Sequence, residues 1–359
     1  MTLPVSPPIS PMLSKAVASV PKPDSVPGGL HFEPKWDGFR CMIFKDGDEI
    51  ELAGRSESIT RYFPEVVEAA RASLPPVVAL DGELVIATDD RLDFDALSAR
   101  IHPAASRVNL LSQETPASYV AFDLLGDGDG SLMETPFGHR REHLVSLLAS
   151  VPPPFFVTPA TTDHAVAERW FSQFEGAGLD GLVAKPLADV YQPGKRALFK
   201  IKHERTADCV VAGYRIHKSG EVVGSLLLGL YDDSGRLHHV GVASSFTAAR
   251  RLELVEELAP YVTDLSDHPW NPETADGAGT RRPGSINRWN AGKNMTFVAL
   301  RPELVVEVAY DQLQGERFRH TARFRHWRTD RTPASCTYDQ LDRPVAYHLG
   351  DVLQPHTAR

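Results

Sequence analysis

The sequence predicts two domains in series, an α+β domain followed by a small β-barrel. Three observations predict this. The chain has 359 residues, more than one hydrophobic core usually organises. From Phe32 to about His203, short apolar runs alternate with amphipathic helical stretches. After about Glu204 the runs become closely spaced and strand-like, interrupted by one helix. The boundaries fall at residues 1–204 and 205–345, with 346–359 left as a tail.

The expected strands of the first domain are residues 41–44, 77–87, 119–125 and 181–184. The clearest helix starts at a cap on Thr162 or Asp163, carries Val166, Trp170 and Phe174 on one face, and stops at Gly176 or Gly178. A second is expected over 141–150, with Leu144, Leu147 and Leu148 inward. In the barrel the strands are 209–216, 225–231, 237–242 and 304–310, with a helix over 247–258. Asp232-Asp233-Ser234-Gly235 reads as a hairpin turn and 266–285 as a long Pro/Gly/Asp-rich loop.

Composition narrows the possible partners. Cys41, Cys209 and Cys336 stand singly, without disulfide or zinc spacing, and read as reduced thiols in a cytoplasmic chain. No apolar run reaches membrane-spanning length, and the Pro/Ser-rich start lacks the pattern of a signal peptide. Net charge is −9, which as a whole argues against nucleic acid. The distribution reverses this: between Arg281 and Arg331, eleven Lys/Arg stand against five acids, and 195–205 holds five cations against Glu204. A basic surface of that kind binds phosphates even on an acidic protein.

Lys35-Trp36-Asp37-Gly38-Phe39-Arg40 places a lysine nucleophile, a carboxylate, a turn glycine and a cation within six residues. No P-loop, Rossmann or nucleophile-elbow pattern is present, so a nucleotide would be held otherwise. In Leu198-Phe199-Lys200-Ile201-Lys202, strand alternation puts Lys200 and Lys202 on one face, where a polyphosphate would suit them. Their charge would also favour a neutral, nucleophilic Lys35. Asp81-Gly82-Glu83 lies inside an apolar run and Asp180-Gly181 opens another, so these acids are candidates for metal or ribose contacts. His139 and His143 have helical metal-pair spacing without a third ligand and read as a solvated face.

Taken in order, the Lys35 motif, Gly54-Arg55-Ser56, Asp81-Gly82-Glu83, Tyr119-Val120-Ala121-Phe122-Asp123, Asp180-Gly181-Leu182-Val183-Ala184-Lys185, Leu198 to Lys202 and the basic stretch Arg323 to Arg331 resemble the ATP-dependent DNA ligases. That family sits in the covalent nucleotidyltransferase superfamily with RNA ligases and GTP-dependent capping guanylyltransferases, which remain the alternatives. Phe32 to Gly38, Arg205-Thr206-Ala207-Asp208 and the Arg-rich end with Pro333 and Cys336 are most similar to the short stand-alone bacterial form called ligase C.

The resemblance implies an ATP-grasp-like nucleotidyltransferase domain with antiparallel sheets and flanking helices, followed by an OB-fold barrel. It implies that Lys35 carries AMP, that Arg40 touches the nucleotide and that Arg55 binds the 5′-phosphate at a nick. Glu33 would lie near adenine, Phe122 would stack on it, and Lys185, Lys200, Lys202, Arg328 and Arg331 would complete the ATP site. Asp37, Glu83 and Asp180 would serve Mg²⁺ or Mn²⁺. The implied partner is nicked duplex DNA, with a repair polymerase or primase-like protein beside a monomeric ligase. Two positions depart from the family pattern: Asp180 stands where Glu is usual, and Arg331 where Lys is usual.

Overall fold

The computed structural model describes residues 3–55, 57–102, 104–128, 130–271, 280–284, 296–341 and 347–353. The chain divides into two compact units, Met1–Lys202 with Pro344–Arg359, and His203–Arg343.

The first unit is built on two sheets. One has the strand order Ser14–Val17, Leu198–Ile201, Leu182–Pro186, Leu30–Pro34. The other runs Phe155–Val157, Ser118–Asp127, Val77–Val85, Phe39–Asp46, Glu49–Ala53. The sheets are mixed, which corrects the antiparallel expectation: Ser14–Val17 joins Leu198–Ile201 in parallel, and Phe155–Val157 joins Ser118–Asp127 in parallel. The second pair has a connection long enough to return the chain in the same direction, through helix Phe137–Leu148.

Both faces of the longer sheet are apolar. Ile43, Leu80 and Leu124 pack with Val66 and Ala70 of helix Pro64–Ser73 and Leu144 and Leu148 of helix Phe137–Leu148. Met42, Phe44 and Ala79 pack instead with Leu198 and Val183 of the shorter sheet. Burial on both faces explains why these strands read as continuous apolar runs. Helix His164–Gln173 covers the shorter sheet's other face through Ala167, Trp170 and Phe171, against Leu30, Phe32, Leu182 and Ile201. Its N-cap is Asp163, which accepts from Ala165 N and Val166 N, and Gly178 follows its last turn with φ +87°.

Residues 347–353 join this unit. Leu349 and Val352 are buried with Trp36, Val120 and Phe174, while Leu349 N and Gly350 N donate to the Asp90 carbonyl and carboxylate at 3.0 and 2.9 Å. A segment read as a featureless tail therefore supplies two core residues behind Trp36.

The second unit is a closed barrel in the order Arg205–Ile216, Val223–Tyr231, Leu237–Ser244, Ala322–Trp327, Val298–Tyr310. The sequence revealed four of these strands. Ala322–Trp327 escaped because Arg323, Arg325 and His326 disguise a short alternating strand as a basic motif. Helix Ala248–Leu258 is capped by the Thr247 hydroxyl, and Asp232 accepts from Ser234 N and Arg236 N to form the expected turn. Of the predicted loop 266–285, residues 272–279 and 285 lie outside the described residues.

Two predictions follow from local conformation and burial. Gly181 has φ +113°, and a Cβ there would lie 2.0 Å from the Ile201 carbonyl oxygen, whereas Gly235 has φ +79° and open space around it. Gly181→Ala is expected to destabilise by more than about 3 kcal/mol and Gly235→Ala by about 1 kcal/mol, read from urea unfolding.

His239 is buried against Trp270, and burial first, then Arg317, Arg215 and Arg281, push its pKa down to about 3. The unfolded chain takes up a proton near pH ~6.5 that the folded chain refuses, so stability falls as pH drops below that value, by about 1.4 kcal/mol per pH unit. His239→Gln is expected to flatten the pH dependence of the urea midpoint between pH 6 and 4 relative to wild type.

Candidate active site

The site begins where strand Leu30–Pro34 ends. Lys35 N donates to the Gly181 carbonyl and Asp180 N donates to the Lys35 carbonyl, both at 2.9 Å. This reciprocal backbone pair extends the ladder between Leu30–Pro34 and Leu182–Pro186 by one rung and sets Lys35 directly against Asp180. The Lys35 Nζ donates to Asp180 Oδ2 at 2.5 Å, and Lys202 Nζ reaches the same oxygen at 2.8 Å. Lys202 directly follows strand Leu198–Ile201, the other neighbour of Leu182–Pro186.

Asp180 is thus the counter-ion of two lysines. Burial works against its charge, yet the Lys35 and Lys202 ammoniums and their hydrogen bonds hold its carboxyl below the usual range. Lys200 is lowered by burial, then by Lys202 and Lys35. Asp180, expected as a metal ligand near Lys35, is here bonded directly to Lys35 and Lys202. Three cations brought together by neighbouring strands need a carboxylate between them.

A second cluster grows from the longer sheet. Gly38 meets strand Val77–Val85 so closely that a Cβ would lie 2.1 Å from the Leu84 carbonyl oxygen. Two residues later Arg40 pairs with Asp81 through Nε and Nη2, both at 2.6 Å, and Tyr191 OH donates to Asp81 at 2.7 Å. Although burial opposes its charge, Asp81 raises the Arg40 pKa. Glu83, two residues along the same strand, is pushed up to about 7 by burial, against the pull of Arg40 and Lys35. Asp81, a candidate for metal or ribose contacts, is committed to Arg40 and Tyr191 instead, and Tyr191 was not among the candidate residues. The signal for Asp81 was strand alternation, which puts it on the face that Glu83 shares.

The third cluster surrounds Phe122. Lys185 Nζ is bonded to Glu33 Oε2 and to the Phe122 carbonyl, both at 2.8 Å, and stands 4.6 Å from the Phe122 ring centroid. The Arg40 guanidinium is 4.5 Å from the same centroid. The next residue, Asp123, forms a buried bidentate pair with Arg140 at 2.8 and 2.9 Å. Trp36 is fixed by its indole N–H to Thr158 Oγ1 at 2.9 Å.

The structure therefore places Glu33, Lys35, Arg40, Glu83, Phe122, Asp180, Lys185, Lys200 and Lys202 in one unit, where Lys35 and Lys202 meet on Asp180, Arg40 and Lys185 meet on Phe122, and Glu83 and Lys200 are electrostatically coupled to these groups. Arg55 is exposed in the turn after strand Glu49–Ala53, and its motif neighbour Ser56 lies outside the described residues. Arg328 and Arg331 belong to the barrel unit. There Arg328 donates to Asp208 at 3.0 and 3.1 Å and to Asp330 at 2.9 and 2.8 Å, while Arg331 Nε lies 3.4 Å from Asp208. Asp208, absent from the candidate residues, is the anchor that holds both arginines.

For a divalent cation the donors are oxygen atoms. Asp180 is bonded to two ammoniums, while Glu83 stands near Asp37 and Asp81, both of which raise its pKa. Among the described residues no group of three or more His, Cys, Asp or Glu side chains is arranged to enclose a metal. One or two carboxylates completed by substrate phosphates is the usual Mg²⁺ arrangement, and Asp180 and Glu83 fit it.

Comparison with known proteins agrees with this chemistry. Residues 11–202 match the family model "ATP dependent DNA ligase domain", and residues 219–331 match "ATP dependent DNA ligase C terminal region". The chain is 56% identical to DNA ligase C of Mycobacterium tuberculosis, covering 98% of this chain and 99% of that protein. It is 48% identical to DNA ligase C1 of Mycolicibacterium smegmatis, covering 99% of each. A solved Lig E DNA ligase aligns over 89% of this chain and 100% of that one, with a TM-score of 0.54 and 20% identity, a likeness of fold. Two family models that together span most of the chain, and relatives matched nearly end to end, establish that the protein belongs to the ATP-dependent DNA ligase family.

Proposed function

We propose that the protein seals 5′-phosphate/3′-hydroxyl nicks in duplex DNA through an AMP carried covalently on Lys35. The observation that carries this reading is the meeting of Lys35 and Lys202 on one Asp180 oxygen, with Lys200 electrostatically coupled to them. Nothing in folding favours two ammoniums on one carboxylate with a third cation coupled to them, but a triphosphate arriving there finds several cations already in place.

In the first step the Lys35 amine attacks the α-phosphate of ATP; an N–P bond forms, the bond to the β-phosphate oxygen breaks, and pyrophosphate leaves. The amine must first leave Asp180 and lose its proton, since its lone pair is the nucleophile. Lys200 and Lys202 neutralise charge growing on the departing phosphates. Arg40, braced by Asp81, and Lys185, braced by Glu33, orient the nucleoside beside Phe122. Mg²⁺ or Mn²⁺ at Asp180 and Glu83 would screen the phosphate charge. AMP then passes from Lys35 to the DNA 5′-phosphate, held by Arg55, and the 3′-hydroxyl displaces it.

On this reading the catalytic domain comprises about residues 1–204, and residues 205–345 form an OB-fold barrel that supplies Arg328 and Arg331 to the ATP and binds DNA. Asp208, Glu307 and Asp330 would hold Arg328 between those duties. The reading further proposes a repair role in the cytoplasm, as a monomer working beside a repair polymerase or primase-like protein.

Incubation with α-labelled ATP is expected to label the wild-type protein, and Lys35→Ala to abolish the label; a labelled Lys35→Ala protein would refute the assigned nucleophile. Sealing of a singly nicked duplex should proceed with ATP and fail with GTP or NAD, and GTP as the better donor would overturn the reading. Asp180→Asn leaves Lys35 and Lys202 without their counter-ion, and is expected to lower the single-turnover rate of adenylylation by about 100-fold or more.

A further inference from the structure

The segment that follows the barrel in sequence backs the ion pair of Lys35 and Asp180. Trp36 directly follows Lys35 and Leu179 directly precedes Asp180, and both side chains are buried in one apolar cluster with Val85, Val120 and Phe174. Leu349 and Val352 are buried in that same cluster, with Tyr347 and Leu353 packed against it. The Tyr347 ring lies 5.3 Å from that of Phe174. Residues 347–353 therefore reach the reacting amine and its counter-ion through one neighbouring residue each.

The hold on this segment is specific. Leu349 N donates to the Asp90 carbonyl at 3.0 Å, Gly350 N donates to Asp90 Oδ1 at 2.9 Å, and His348 Nδ1 pairs with Asp90 Oδ2 at 2.5 Å. Asp89 and Asp90 form the turn between the short strands Ala87–Thr88 and Arg91–Leu92, with φ +49° and +60°. That conformation is uncommon for residues other than glycine and persists where the surroundings fix it. Here all three Asp90 oxygens bond to consecutive residues of one segment, and Leu92, just beyond the turn, packs on the same apolar cluster.

We infer that residues 347–353 are a positioning strap for adenylylation, acting on Lys35 and Asp180 through Trp36 and Leu179. The inference rests on the nucleotidyl-transfer reading above. Attack on the α-phosphate needs the Lys35 amine in line with the leaving pyrophosphate, and a small misplacement of a reacting atom is expensive in rate. With the strap docked, the back of the pair is close-packed; with it released, the space of Leu349 and Val352 beside Trp36 and Leu179 is lost to the core. The last step makes a different demand. There the 3′-hydroxyl oxygen bonds to the 5′-phosphorus and the bond to AMP breaks, so the Lys35 amine is not the nucleophile. The strap therefore serves the first step and leaves the last one unaffected.

The test compares two single-turnover rates in the full-length protein: formation of the AMP adduct from ATP, and sealing of a nicked duplex that already carries AMP on its 5′-phosphate. Leu349→Ser removes an apolar anchor of the strap. Asp90→Gly removes the carboxylate that holds it while suiting φ +60°, and it gives the same comparison if Leu349→Ser folds poorly. Both are expected to lower the maximal rate of adduct formation about tenfold or more, with the half-saturating ATP concentration within about threefold of wild type and sealing of the pre-adenylylated nick within about twofold. Leu349→Met, which nearly keeps the volume, should restore adduct formation. Equal losses in the two reactions would reduce the strap to ordinary packing and overturn the inference, as would adduct formation at the wild-type rate in both Leu349→Ser and Asp90→Gly. Failure of wild type to form any adduct with ATP would instead overturn the nucleotidyl-transfer reading on which the inference rests.

Discussion

Everything in the candidate active site depends on one carboxylate held between two ammoniums. Asp180 accepts from Lys35 at 2.5 Å and from Lys202 at 2.8 Å, with Lys200 beside them. Those lysines come from segments flanking strand Leu182–Pro186 on both sides, so the short four-stranded sheet exists, chemically, to bring them together. The backbone pair between Lys35 and Asp180–Gly181 fixes the register, and Gly181 is the residue type that position tolerates. A pair this buried is weak evidence for stability. Its value lies in keeping a reactive amine in place until a phosphate competes for the surrounding charge.

The same logic recurs at each cation in the site. Arg40 is braced by Asp81, Lys185 by Glu33, Arg140 by Asp123, and in the second unit Arg328 by Asp208. These four cations are already hydrogen-bonded, so binding at them exchanges one partner for another instead of ordering a loose chain. That pre-organisation reduces the entropy lost when the nucleotide binds. Residues 347–353 extend the pattern to packing, with Leu349 and Val352 supporting Trp36, the neighbour of Lys35.

Much of this was legible in the sequence, for identifiable reasons. The Lys35 motif, the alternation of Lys200 and Lys202 and the glycine of Asp180-Gly181 are local patterns whose chemistry follows from spacing alone. What the sequence hid was pairing between distant segments. That Asp180 would bond to Lys35 depends on a ladder joining residues 145 positions apart, and Asp208 anchors arginines 120 and more positions away. The parallel edge strands and Ala322–Trp327 were missed because three to six residues carry too little periodicity to register.

The most direct test of the central claim is a crystal structure of the wild-type protein with ATP bound and the α–β phosphate bond intact. The account predicts that the Lys35 amine has moved off Asp180 and lies about 3–3.5 Å from the α-phosphorus, opposite the leaving pyrophosphate, with Lys200 and Lys202 on the phosphates. Lys35 still bonded to Asp180, with the α-phosphate facing some other nucleophile, would contradict it.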